Sequence, residues 1–394
     1  MPYQSRSRED HRALESIKGS GKFGAAIGVA DHSANVSAKE YSGVVLSSAS
    51  QVRGLRNSAN RLMQTQNTML SPEFFLASLP EGWRPKVVAV YSARDVIGVL
   101  YAKERIIKGF PTGIVYADGS LGGVLLADHL YHRCAFRVAA ETLLASSGIR
   151  GMRLRILHSS RDFDAVLQLT ASKSLDIEYS PVEDRSSPLW KNHAHLGLAD
   201  TYDDFLKTLG STTRHNFRYY RRRFEASGHK FVEHLSLDEL SSASLALFPK
   251  SKLTARAQQK SIDWQLKRVA AASRPLAVGL KHHSGEWLSV LGGWYMPGGA
   301  LLSFQYNNEE NFSQDSLSIV LRAYLIELLI RQRLKELVIW ADTGPPLSRY
   351  VYYPPAIDVR LDITARSWRV ARLLISAVGP RLPKPLAAVA QWVA

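Results

Sequence analysis

The sequence predicts a mixed α/β protein built from one plan used twice, and three observations carry that prediction. First, segments of period two alternate with segments of period 3.6. Strands are expected at 276–281, 287–295 and 300–306, whereas Leu321, Tyr324, Leu325, Leu328 and Leu329 fall at the spacing of a core-facing helical stripe. Second, a helix–strand–strand–helix–strand order runs through residues 80–160 and recurs after residue 201. Third, 394 residues, 45% hydrophobic and 22% charged, are enough for more than one core.

Taken in order, residues 1–55 are rich in Ser, Gly, Lys and Arg without sustained period, and are expected to form a polar, disordered extension. Gly19-Ser20-Gly21-Lys22-Phe23-Gly24 matches a dinucleotide fingerprint, but no strand precedes it, so it predicts no phosphate site. Ser71 as cap and Pro72 at the first helical position open a short helix. Strands follow at 86–91, 96–102 and 113–116, then a helix over 126–146 and a strand at 152–157. In the second half, Asp203-Asp204-Phe205-Leu206 starts a helix and a second helix follows it. The three strands named above come next, then the helix 316–333 and strands at 337–341 and 356–363. The expected division is an extension (1–55), a first domain (56–200), a second domain (201–364) and a basic, apolar tail (365–394).

The net charge of +15 points to polyanionic partners: nucleotide-bearing cofactors, acidic lipid head groups or nucleic acid. The single cysteine, Cys134, excludes an intrachain disulfide and reads as a small core residue. His193-x-His195 and His282-His283 lack further ligands at metal spacing, so no metal is expected. No G-x-S-x-G elbow supports serine hydrolysis. The polar start and the lack of a long apolar run predict a cytoplasmic protein. The tail Trp368-Arg369-Val370-Ala371-Arg372-Leu373 suits either packing on the domain or peripheral membrane contact.

The densest signal is Thr213 to Gly228, which places five arginines on one helix. At 100° per residue, Arg214, Arg218, Arg221 and Arg222 share one stripe, and Phe217, Tyr220 and Phe224 share another. The helix can therefore pack by its aromatic face and present guanidinium forks to an anion, or simply carry a solvated charged face.

The order Asp204-Phe205-Leu206, Thr213-Arg214-His215-Asn216-Phe217-Arg218 and Phe224-Glu225-Ala226-Ser227-Gly228 resembles GNAT-type acetyltransferases of cellulose and exopolysaccharide biosynthesis, the CelD-like family, relatives of Fem-type peptidyltransferases. Phe304-Gln305-Tyr306, the long helix and Trp340-Ala341-Asp342-Thr343-Gly344 follow the same order, with Arg349 near a position where the family carries lysine. The likeness spans about residues 60–364 and implies tandem GNAT-like domains with largely antiparallel sheets.

It implies acetyl-CoA or another acyl-CoA as co-substrate and a small-molecule, lipid-linked or sugar-linked acceptor. Ser313, Gln314, Ser316, Leu317 and Ser318 match the phosphate cradle at a helix start, where Asp315 reads equally as a cap. Asp342 matches a base or a turn residue, and Tyr306 an acid for the leaving thiolate or a core tyrosine. Tyr350 is a further catalytic candidate, and Arg214, Arg218, Arg222 and Arg349 are candidate anion ligands. Two alternatives stay open. One is Fem-type aminoacyl transfer from charged tRNA. The other is a non-catalytic accessory protein of polysaccharide biosynthesis, which the glycine-free loop Asn311 to Ser316 would suit.

Overall fold

The computed structural model describes residues 41–63, 70–120, 123–169, 175–181, 193–251, 259–340, 343–344 and 346–363. The Gly19–Gly24 motif and the tail 365–394 lie outside them. The first half supplies β1 (Tyr41–Leu46), β2 (Trp83–Pro85), β3 (Val87–Ser92), β4 (Asp95–Leu100), β5 (Lys103–Ile107), β6 (Phe110–Gly119), β7 (Leu125–Ala127), β8 (Gly151–Leu157) and β9 (Leu175–Pro181). The second half supplies β10 (Ala194–Gly197), β11 (Lys230–Val232), β12 (Pro275–Lys281), β13 (Trp287–Met296), β14 (Gly299–Asn307), β15 (Glu336–Ile339) and β16 (Ala356–Ile363). They form three sheets, ordered β1-β3-β4-β7, β2-β5-β6-β8-β16-β9 and β10-β15-β14-β13-β12-β11.

One motif is used twice. In the first half, β6 runs parallel to β8, with helix His132–Ala145 between them in sequence. In the second, β14 runs parallel to β15, with helix Leu317–Arg331 between them. Other pairings are antiparallel, so each six-stranded sheet is mixed and largely antiparallel, with one parallel pair, and the four-stranded sheet is antiparallel throughout. This is the mixed α/β architecture, one plan used twice, that the repeated order predicts.

The halves also exchange strands. β16, from the end of the second half, inserts between β8 and β9 of the first. β10, whose sequence lies before residue 201, pairs with β15 of the second sheet. The expected boundary at 200/201 therefore divides the sequence but not the sheets. The extension also differs from expectation, because Tyr41–Leu46 pairs with β3 and Ala49–Gly54 is a helix. Its cap is local: the Ser48 side chain and Gln51 form a reciprocal capping box, a signal too short for a periodicity scan.

Polar contacts pin β16 in place. Arg155, almost fully buried, donates from Nε and Nη2 to the two oxygens of Asp358, both at 2.7 Å. Arg153 Nη1 donates to Asp362 at 2.8 Å. A planar guanidinium holding a carboxylate by two parallel bonds fixes strand register as well as charge.

The sheet β10-β15-β14-β13-β12-β11 is covered on both faces. Helices Tyr202–Thr208, Ser211–Ala226 and Leu317–Arg331 pack on the face bearing Leu276, Val278, Ala300, Leu302 and Leu337. Helices Leu237–Leu247 and Gln259–Ala271 cover the other, with Ala277, Val290, Leu301 and Val338. Phe74, from the Ser71-capped helix Pro72–Ala77 of the first half, enters this second core edge-on to Trp294 at 4.9 Å. Fully buried Arg268 stacks over Trp340 at 3.7 Å and Trp264 at 4.4 Å, and burial lowers its pKa to about 9. Cys134 is half-buried and its thiol pKa is raised by burial, the environment of an inert thiol.

Replacing Asp358 by alanine leaves the buried Arg155 charge without its fork. Breaking such a pair should cost about 3 kcal/mol in urea unfolding, and a loss under about 1 kcal/mol would show that β16 is held by apolar packing alone.

Candidate functional site

The second parallel pair opens at its carboxyl end. Residues 299–302 of β14 pair with 336–339 of β15, and Trp340 N–H still reaches Leu302 O at 2.9 Å. A bulge then shifts the β13–β14 register: Gly293 faces Leu302 but Gly292 faces Phe304, leaving Ser303 unpaired. A Cβ on Gly293 would lie 1.9 Å from Leu301 O, so this bulge needs glycine there. Beyond it, among the described residues, β14 pairs with β13 alone.

The opening is spanned by Arg322, from the second turn of helix Leu317–Arg331. Its Nε donates to Gln305 Oε1 at 3.2 Å and its Nη1 to Thr343 Oγ1 at 3.0 Å. Gln305 Nε2 in turn donates to Asn307 Oδ1 at 3.0 Å, which also accepts from Ser289 Oγ at 2.6 Å. Burial lowers the Arg322 pKa from its ordinary value. The guanidinium nevertheless stays charged at neutral pH. Among the described residues its contacts are neutral oxygens, so its charge is unmatched by a carboxylate. Such a group favours an anion or a polarised carbonyl beside it.

The cradle positions lie at the start of the same helix. Ser313–Asp315 forms a short 3-10 turn, and Ser316 takes a left-handed conformation at φ 47° before the helix begins at Leu317. That conformation costs a non-glycine residue about 1 kcal/mol. No side chain caps this helix. Asp315, the expected cap, instead pairs with Arg223 at 3.0 Å. The first N–H groups and the helix dipole are thus left to a ligand or water. Leu317 is buried and offers backbone only, Ser318 is half-buried, and Ser313 and Gln314 are exposed.

The arginine helix spans Ser211–Ala226 with Phe217 and Phe224 buried, and Gly228 follows at φ 72°. Its arginines divide. Arg221 is structural: it sits 4.3 Å over the Tyr324 ring and pairs with Glu327 at 2.8 Å and Glu225 at 3.0 Å. Arg223 holds Asp315, and Arg218 meets Asp203 loosely at 3.6 Å. Arg214 and Arg222 have no carboxylate partner among the described residues.

The remaining candidates do not all converge. Tyr306 lies on the opposite sheet face, buried against Phe248 and Phe304, with its phenol pKa pushed up by burial. The bulge is the reason. With regular alternation through Ser303, Leu302, Phe304 and Tyr306 would share one face; the bulge instead puts Gln305 and Asn307 on the face of Leu302. Tyr350 Oη accepts the Gly210 N–H at 2.8 Å and lies 3.3 Å from Thr213 Oγ1, contacts that lower its pKa, Thr213 foremost. Gly210 is the cap position of the arginine helix, which has no side-chain cap of its own, so Tyr350 supplies one. Arg349 is exposed on the turn before it. Asp342 lies outside the described residues. Arg322 was missed, although one arginine inside an otherwise leucine-rich helix face is the signal that marks it.

A separate cavity of about 610 Å³ lies where the carboxyl ends of β6 and β8 meet the second half. His132 Nε2 lies 2.9 Å from Asp162 Oδ1, and Asp162 Oδ2 accepts the Val124 N–H at 2.6 Å. Across the cavity His195 Nδ1 is 3.0 Å from Glu336 Oε1, which also accepts from Tyr352 Oη. His193 stacks instead on Trp340 at 4.4 Å, so the His193-x-His195 pair is split between two environments.

No protein-family model matches the sequence, and no curated protein matches it. Solved structures do share its architecture. FemX superposes with a TM-score of 0.57 at 9% identity, covering 77% of this chain and 95% of its own. A protein of unknown function from Bacteroides thetaiotaomicron gives 0.51 at 10% identity, covering 81% of this chain and 100% of its own. A tandem GNAT protein from the clavulanic acid biosynthesis pathway gives 0.40 at 12% identity, covering 83% of this chain and 99% of its own. At these identities the likeness to the first two is one of fold.

Two outcomes test the site's supports. Tyr350→Phe removes the acceptor that caps the arginine helix, and thermal unfolding should register a loss of about 1 kcal/mol; an unchanged midpoint would mean the cap is idle. Burial tends to raise the Glu336 pKa, but contacts from His195 and Tyr352 outweigh it and hold the carboxyl below its usual range. A depressed carboxylate contributes stability above its unfolded pKa and loses it as pH falls through the folded value. The stability gap between wild type and Glu336→Gln should therefore narrow between about pH 5 and pH 3. A gap constant across that range would contradict this.

Proposed function

We propose that the protein is an acyltransferase whose donor lies in the opening between β14 and β15. The observation that carries this is Arg322, a partly enclosed cation that bridges Gln305 and Thr343 with only neutral partners among the described residues, beside an uncapped helix start. The donor's phosphates would meet the N–H groups of residues 316–318 and the arginine helix, which Arg223 ties to Asp315. The reactive carbonyl would lie against Arg322 and Thr343. An acceptor nitrogen or oxygen bonds to the acyl carbon, the bond from that carbon to the leaving group breaks, and a base takes the acceptor's proton. We assign the base to Asp342, the neighbour of Thr343 in sequence. Tyr306 is a core residue in this reading, and Tyr350 positions the arginine helix. An acyl-CoA donor and an acceptor on an envelope or exopolysaccharide precursor follow from the resemblance of residues 204–228, and both are part of the proposal.

The test is binding of an acyl-CoA by calorimetry. Arg322→Met, which keeps the stem and removes the charge, should weaken it at least about tenfold, the scale of one charge-assisted hydrogen bond. Unchanged affinity in a folded variant would remove the donor from this opening.

A second reading, aminoacyl transfer from charged tRNA, is favoured by one feature. Arg214 and Arg222 lie on the helix that also exposes Tyr219, stacked on His215 at 5.9 Å. Guanidinium groups interleaved with exposed rings suit a polynucleotide. Salt separates the readings: tRNA held through several phosphates should lose affinity steeply between about 50 and 200 mM salt, and Arg214→Ala/Arg222→Ala should reduce the slope by about two. A shallow dependence would leave the small donor.

A further inference from the structure

We infer that His229, His282 and His283 form a binding site for one divalent transition-metal ion, zinc foremost. The backbone brings them together. β11 pairs antiparallel with β12 with Lys230 opposite Lys281, so the residue before β11 and the residue after β12 are neighbours. His229 enters that position through the Gly228 turn that ends the arginine helix, and His282-His283 opens the turn into β13. The histidine pair has no nearby ligand in sequence. The third ligand is delivered by the sheet.

One ligand nitrogen from each of the three lies within 4.8 Å of the others. A tetrahedral ion at about 2.0–2.1 Å from imidazole nitrogen holds its ligands about 3.3 Å apart, so the rings must close by up to about 1.5 Å. Ring rotation supplies the difference, and His283 is exposed and can turn. His282 Nδ1 lies 2.7 Å from Ser284 Oγ and accepts the Ser284 backbone N–H at 3.2 Å, contacts that hold the ring with Nε2 turned away from Ser284. Binding an ion through Nε2 moves the ring proton to Nδ1, where Ser284 Oγ accepts it and the longer backbone contact is given up. Such an outer partner sets tautomer and ring orientation at metal sites. The His283 N–H meets His229 Nδ1 only at 3.3 Å, a long bond that is readily given up. Phe224 at 5.2 Å from His229 and Phe312 at 5.6 Å from His282 form apolar walls. Asp315, whose charge reaches His229, is itself paired with Arg223 at 3.0 Å, and among the described residues no carboxylate makes an ion pair with any of the three. Three imidazoles leave a fourth position open to water. A bound ion would fasten the end of the arginine helix to the β12–β13 turn, beside Phe312 of the loop that precedes Ser313. This site is independent of the acyl-transfer reading.

The experiment is titration of the metal-stripped full chain with Zn²⁺ by calorimetry, repeated with Co²⁺ by visible absorption. Wild type should bind one equivalent that His229→Ala and His283→Ala each weaken at least about tenfold. His215→Ala, outside the cluster, should leave it unchanged. His283→Ala alters an exposed turn residue, and its circular dichroism checks that the fold persists. No uptake by wild type would overturn the proposal, as would the same number of equivalents and the same Co²⁺ spectrum in His229→Ala/His283→Ala.

Discussion

The structure depends on the exchange of strands between its halves, and the β16 side of that exchange is pinned by buried ion pairs, the Arg155–Asp358 fork and Arg153–Asp362. β16 must cross from the second half to fill the slot between β8 and β9, and β10 makes the reverse contribution beside β15. Neither sheet is complete without a strand from the other's sequence. The cavity between the halves is therefore framed by both, with His132 and Asp162 from one and His195, Glu336 and Tyr352 near the other. A relative movement of the halves would have to strain the exchanged strands, so the spacing of these pairs is set by the topology rather than by loops.

A second constraint acts at the other end of β15. Parallel strands that keep hydrogen bonding leave no room for a ligand, so an opening requires one strand to turn away. Here, among the described residues, the pairing of β14 with β15 ends just before the Ser303 bulge, which the Gly292-Gly293 pair makes sterically feasible. The same bulge exchanges the faces of all later residues. It sends Phe304 and Tyr306 into one core and turns Gln305 and Asn307 toward Arg322. One inserted residue thus sits at the opening and produces its polar lining.

Legibility followed the range of the signal. The strands at 275–281, 287–296 and 299–307 and the helix Leu317–Arg331 were readable because alternation and helical period are local and long. The Ser71-Pro72 start was readable because capping chemistry is local too. Lys103–Ile107 was not, since its charged residues hide the alternation, and Tyr41–Leu46 was not, since it is a short strand at a sheet edge. β16 was legible as a strand but its partners were not, because pairing over 200 residues leaves no mark in the segment itself. In the site, the arginine helix was visible as a stripe, yet which guanidinium groups are engaged depends on Glu327, Asp315 and Asp203 from other elements. Tyr306 was misplaced by the bulge, and the Tyr350 role required knowing that Gly210 lies against it.

The central claim is that the opening spanned by Arg322 receives the donor. Hydrogen exchange of the full chain with and without an acyl-CoA tests it most directly, since a ligand protects the amides it covers and those of the elements it orders. The account predicts slowed exchange in residues 303–307 and 316–323. Protection confined to residues 123–132 and 158–163, around the His132–Asp162 cavity, would contradict it and move the donor to the first half.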